Sequence, residues 1–319
     1  MAPTRNAQHT RRWIMIACVF AALLAGLVWS VSDNGQGRRF ERTNVGAALL
    51  PPSWAYAGIS ETKQLQEIRT NGRWLSVFGT DQLGRDVFAR CMVGGAISIS
   101  VGIASACIAV VLGTLWGTVA GLRGGRVDAV MMRVVDVLYG LPAIMLVVLI
   151  TVAVNSLVER GSITSPAVRE AINVAALLLA ISAVSWLTVS RVIRGQVLSL
   201  RSRPSMDAAR TIGVGRVRLF THHLLPSILG TIIVYATLTV PTAILSEAFL
   251  SFLGIGIREP LPSWGNLAAD GLSQLNTVHS RWWLLLWPCL LIAVTLVGIN
   301  TLGQQLRRWV DPRQSGIPT

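Results

Sequence analysis

The chain has 319 residues, 52% hydrophobic and only 13% charged, with a mean hydropathy of +0.56, where an ordinary soluble domain is about 25% charged. That composition excludes a soluble globular protein. The net charge of +13 and pI near 11.3 would suit nucleic acid, but the apolar windows leave no room for a folded basic module, so a nucleic-acid partner is excluded too.

Six windows of about 20 residues carry few or no charges, and each is long enough to cross a hydrocarbon core of roughly 30 Å as a helix. They are 13–31, 97–120, 134–154, 171–190, 228–250 and 283–302. An all-α polytopic membrane protein with six transmembrane helices is expected. Arg11 and Arg12 ahead of the first window resemble the start of a secretory signal peptide. The window exceeds a signal core of about 7 to 15 residues and no A-x-A site follows it, so it reads as a retained span.

Residues 32–91 are polar, broken by LLPPSW, and close with FGTDQLGRDVFAR (78–90). Gly79 breaks the chain there, and Thr80 or Asp81 caps a predicted helix with Leu83, Val87 and Phe88 on one face. Two readings are open: an amphipathic helix at the membrane surface, or a docking surface for an external partner. The second span carries Ser98, Gly102 and Ala106, then Gly113, Gly117 and Gly121, a helix-packing ridge of small residues that lets backbones approach in lipid. Pro142 and Pro241 predict bends in the third and fifth spans. Asp136, three residues after Arg133, is expected to form a helical ion pair, or to serve the translocation path or gate. Glu247 is open between the same path or gate role and a reach to headgroups or to the Ser246 and Ser251 hydroxyls.

The loop at about 191–226 is long for a helix connection. Ser205 or Asp207 caps a short helix bearing Ala208 and Ala209, and Gly213 and Gly215 stop it. A second segment, 216–225, places Val217, Phe220 and Leu224 on one face and ends at Pro226. The first piece has no large apolar face, so it is expected to protrude, with Asp207 offering a charge to a partner's arginine. In the last loop Trp264, Trp282, Trp283 and Trp287 suit an interfacial aromatic belt. Cys18, Cys91, Cys107 and Cys289 read as buried small hydrophobes, and neither a metal site nor a disulfide is supported.

If the N-terminus is cytoplasmic, 16 of the 28 basic residues fall in cytoplasmic segments against four acids, and the other 12 face ten acids. This positive-inside asymmetry predicts N-in and C-in. The only lysine, Lys63, follows no glycine. The chain therefore has no G-x-x-x-x-G-K-[ST] phosphate loop.

The run Asp207-Ala208-Ala209, three residues, Gly213, nine residues, His223, one residue, Leu225-Pro226 resembles the EAA loop (EAA-x3-G-x9-I-x-LP) of permease subunits of ABC importers. Asp207 stands for Glu and His223 for Ile. FGTDQLGRDVFAR, GLRGGRVDAVMMRVVDVLYGLP, ILSEAFLSFLGIGI, PSWGN and LRRWVDPR look like the dipeptide, oligopeptide and nickel branch of that family, its second permease subunit. The likeness spans 78–313, and the stretch 55–77 departs from it. The resemblance implies a type I importer permease fold in the bacterial inner membrane, with residues 1–92 as an N-terminal and extracytoplasmic part and 93–319 as a five-helix core. It implies ATPase coupling through Asp207, Ala208, Ala209, Gly213, Leu225 and Pro226. The implied partners are a second homologous permease subunit, two cytoplasmic ATPase subunits that bind ATP and Mg, an extracytoplasmic solute-binding protein, and lipid. No catalysis and no cofactor are expected in this chain. Peptides, nickel or another small solute remain open as cargo, and a self-contained channel or secondary transporter is the competing class.

Overall fold

The computed structural model describes residues 24–32, 38–58, 76–160, 165–204, 206, 211, 213, 215–275 and 280–310. Their secondary structure is helical apart from isolated β-bridges such as Thr80 with Asp86. Helices are the expected form for apolar runs in lipid, where every backbone N–H and C=O must be satisfied within its own segment. We label them α1 (Val87–Arg123), α2 (Gly125–Tyr139), α3 (Ala143–Arg160), α4 (Pro166–Arg201), α5 (Leu225–Phe252), α6 (Trp264–Ser273) and α7 (Trp283–Val310). Among the described residues four helices are long and apolar enough to cross a membrane: α1, α5, and the stretches Val168–Arg201 of α4 and Trp283–Leu306 of α7. Residues 24–31 are helical, and the start of the first expected span lies outside the described residues.

The third span differs from expectation. Instead of one bent helix over 134–154, α2 and α3 meet at 88° across a short break. Pro142 has no N–H to continue the ladder, and it disfavours helical backbone at Leu141, so the chain stops at Gly140 and restarts in a new direction. Pro241, by contrast, sits inside an uninterrupted α5.

The chain forms two compact units. One joins Met1–Ser100 to Ala248–Gly298, and the other joins Val101–Glu247 to Ile299–Thr319. Residues 248–298 thus group with residues 1–100.

In the first unit α6 begins at a capping box. Ser263 Oγ accepts from the Asn266 N–H at 3.2 Å, and Asn266 Oδ1 accepts from the Ser263 N–H at 2.8 Å. This aims Trp264 inward, where it is fully buried, and its indole donates to the Cys91 carbonyl at 2.8 Å. A side chain at Gly95 would occupy the indole's place. Trp264 is therefore a core residue and not a belt residue, since an indole buried with its N–H satisfied gains more than one left at an interface, and Trp283 is buried as well.

In the second unit α3 packs along α4. The ridge of α1 faces α4 as well: a Cβ at Gly113 would lie 2.6 Å from Val189, and one at Gly121 would lie 2.7 Å from Val197. Cys91 is buried, but Cys107 and Cys289 are exposed, which corrects the expectation for those two; each lies on an outward face of its helix. Cys18 lies outside the described residues.

Candidate functional site

The connection from α4 to α5 holds the residues singled out by the sequence. Asp207, Ala208 and Ala209 lie outside the described residues. Around them the chain is anchored. Met206, to which the sequence assigns no role, is 5% exposed and joins Leu219 and Leu224 in a core with Val189, Ile193, Val197 and Leu200 of α4 and Val110 of α1. Beyond it Gly213 takes φ +84°, a left-handed conformation. Both Gly213 and Gly215 are exposed, and a Cβ at either would meet nothing within 4 Å.

The second segment departs from a plain helix. Arg216–Leu219 makes one α turn, Phe220–Leu224 forms a π-helical turn, and α5 follows directly. The π turn is marked by the Leu225 N–H donating to the Phe220 carbonyl. Its reason lies in the spacing of Leu219 and Leu224. At 100° per residue five positions separate them by about 140°, on opposed faces. A turn closed by an i→i+5 bond takes roughly 4.4 residues, which returns both leucines to one face. Pro226 therefore sits exposed just inside α5 and does not end a helix. The wide turn clears the space that its ring would otherwise contest with the carbonyl of His222. Leu225 is half-buried against the α4 core.

Asp136 does not pair with Arg133. It accepts from Arg191 Nη2 of α4 at 2.8 Å, because α2 is turned across α4 by the break and Arg133 is left on the exposed side. Asp128, which the sequence reading passed over, takes a forked bond from Arg194, with Nη2 at 2.6 Å. Glu247 is fully buried in α5, so it does not reach headgroups, and Ser246 spends its hydroxyl on the Thr242 carbonyl at 2.9 Å.

In the first unit FGTDQLGRDVFAR is mostly a loop, not the predicted helix. Gly79 and Gly84 take φ +87° and +70°, which only glycine adopts cheaply, and α1 starts at Val87. The cap is Asp86, not Thr80 or Asp81: its Oδ1 accepts from the Phe88 N–H at 2.9 Å and from Ser76 Oγ at 2.6 Å. Asp81 instead organises a clasp. It accepts from the Leu83 and Arg85 backbone N–H groups at 2.9 and 2.8 Å, from Arg85 Nε at 2.6 Å and from Arg90 Nη1 at 2.7 Å. Glu259 completes it, bound to Arg85 at 2.8 Å and Arg90 at 3.0 Å. A cleft of about 200 Å³ opens beside these groups, with Asp270 on its wall. Burial pushes the Asp86 and Asp270 carboxyls above their ordinary values. Burial acts the same way on Glu259, but the hydrogen bonds and charges of Arg85 and Arg90 outweigh it and hold that carboxyl below its ordinary value.

These features belong to a helical membrane component whose connection between α4 and α5 is rooted in its core. The family described as binding-protein-dependent transport system inner membrane component matches residues 113–316, and the chain belongs to it. It is a multi-pass protein of the bacterial inner membrane and a transport permease. It is 40% identical over 268 residues to the oligopeptide transport system permease protein OppC of Bacillus subtilis, covering 83% of this chain and 81% of that one. It is 40% identical over 236 residues to the dipeptide transport system permease protein DppC of the same organism, covering 74% of this chain and 68% of that one. The inward-facing MetNI methionine ABC transporter shares its fold, with a TM-score of 0.53 at 17% identity over 68% of this chain and 94% of that one.

Proposed function

We propose that this chain is one of two homologous permease subunits in an ATP-driven peptide importer. It forms half of the translocation path and is driven through the loop between α4 and α5. The observation that carries the coupling role is the construction of that loop. Met206, Leu219 and Leu224 root it in the α4 core, while Gly213 and Gly215 stand open to solvent. Roots of this kind convert a push on the loop into rigid-body motion of helices. Asp207, Ala208 and Ala209 contact a cytoplasmic ATPase subunit, with Gly213, Leu225 and Pro226 fixing the geometry. ATP and Mg are bound by two such ATPase subunits, and an extracytoplasmic solute-binding protein delivers cargo. The names of the relatives support peptides as that cargo.

The test is uptake of labelled peptide by the complete transporter. Gly213→Pro forces φ near −65° where the chain needs +84°, and Asp207→Arg reverses the docking charge. Each abolishes uptake while the chain remains in the membrane. Normal uptake in either variant overturns the coupling role, and transport by the chain alone without ATP overturns the whole reading.

A further inference from the structure

Helix α2 carries two aspartates eight residues apart, and α4 answers with two arginines three residues apart. Arg194 forks onto Asp128, whose side chain is 12% exposed. Arg191 reaches Asp136 at 2.8 Å, and its guanidinium carbon lies 3.9 Å from the centre of the Tyr139 ring. Eight helical residues cover about 12 Å of axis and three cover about 4.5 Å, so helices lying side by side would not match these partners. The arginines fan out instead to the two ends of a helix laid across α4. The 88° break agrees, since α3 runs along α4 and α2 turns away from α3. Trp116 of α1 pins the middle of α2 by donating to the Met131 carbonyl at 3.3 Å.

The same α4 carries the loop. Ile193, Val197 and Leu200, interleaved with the two arginines or just beyond them, hold Met206, Leu219 and Leu224. One rod thus bears the loop on its apolar face and α2 on its charged face. Stability alone explains the pairing poorly, because a solvent-exposed pair such as Asp136 with Arg191 adds little. Two attachments do fix an angle that one attachment leaves free.

We propose that Arg191 and Arg194 are positioning residues forming a cross-brace: they make α2, and through the Gly140–Pro142 break the start of α3, follow α4 whenever the loop moves it. This rests on the reading of the loop as the ATPase-coupling site. The brace adds a fixed angle at the start of α3 to the direct packing of α3 along α4.

The experiment uses the complete transporter in lipid nanodiscs, with native cysteines replaced and spin labels at the exposed positions Ala129→Cys on α2 and Gln196→Cys on α4. With both arginines intact, one narrow distance is expected that stays the same with and without trapped nucleotide. In R191Q/R194Q it broadens. In parallel, peptide uptake per ATP hydrolysed falls about tenfold in R191Q/R194Q, while hydrolysis per assembled complex persists, and the reversed pair D128R/R194D recovers uptake. A role confined to fold stability would lower uptake and hydrolysis together and leave their ratio unchanged. If R191Q/R194Q does not assemble, Asp136→Asn, at the exposed pair, carries both measurements. A label distance that changes with nucleotide while the arginines are intact overturns the brace, as does an unchanged ratio. Should the unmutated transporter carry no peptide, the cargo assignment falls and the label distances alone decide the brace.

Discussion

Arg90 is 1% exposed, and its guanidinium is divided between Asp81 and Glu259. Arginine suits the post because its planar fork reaches two carboxylates at once without losing its charge. Its replacement leaves Asp81, itself 7% exposed, short of a partner. Arg90→Met is therefore expected to cost about 3–5 kcal/mol, seen as a lower thermal midpoint of the detergent-solubilised chain. Glu259→Gln costs less, since the Glu259 side chain is 51% exposed and water screens the pair. Its sign with pH is distinctive. The folded Glu259 carboxyl lies below its ordinary value of 4.5, so its contribution is present above that pH and is lost as the pH falls through the folded value. Asp86 and Asp270, both raised, act in the opposite sense, favouring the folded state as they take up protons. Comparing acid titrations of the thermal midpoint isolates Glu259: the E259Q chain should lose less on acidification than the unmutated one, and parallel curves would remove Glu259 from the clasp. Three members of this clasp were visible in FGTDQLGRDVFAR as charges, but their arrangement was not. Glu259 is 169 positions from Arg90, and nothing local to either residue announces the other.

Elements read best from the sequence where the signal is local and periodic. The four-residue recurrence of Gly113, Gly117 and Gly121 is of that kind, and the structure turns all three toward α4. Gly117 is the tightest of them in kind, because the atoms a Cβ would meet include the Ser190 carbonyl and the Arg194 N–H, the latter at 2.9 Å. Backbone cannot rotate away as a side chain can. Gly117→Leu is thus expected to part α1 from α4 at a cost of about 1–3 kcal/mol or more, read as loss of folded chain on size exclusion. Gly195→Leu, where a Cβ meets nothing within 4 Å, is the matched control and should be tolerated. The Pro142 break was half legible: proline declares that a ladder stops, but not the direction in which the chain resumes. The π turn was hidden because a 100° wheel assigns Leu219 and Leu224 to opposed faces, and only the core they share reveals the extra residue. Met206 was missed for a related reason. One apolar residue makes no periodic pattern, and its partners on α4 precede it by up to 17 positions.

For the whole molecule the decisive quantity is parity, the number of times the chain crosses the bilayer. The bent pair admits two outcomes. If α2 and α3 together make one crossing, the loop at 202–215 and the loop at 78–86 face opposite sides of the membrane. If they dip in and return, the two loops share a side. Length favours the crossing: α3 alone has 18 residues, about 27 Å of helix against a core of roughly 30 Å. Charge favours it too. Arg126, Asp128, Arg133 and Asp136 suit α2 to the interface, and the seven arginines between 191 and 218 belong on the cytoplasmic side. Alkaline phosphatase, which matures only outside the cytoplasm, is therefore expected to be inactive when fused after Gly213 and active when fused after Arg258, with green fluorescent protein giving the converse. Because α5 keeps the two positions on opposite sides, the reversed pattern, activity after Gly213 and none after Arg258, would make α2 and α3 re-entrant. The loop would then lie on the wrong side of the membrane to meet a cytoplasmic ATPase, and the coupling role assigned to it would fail with the topology.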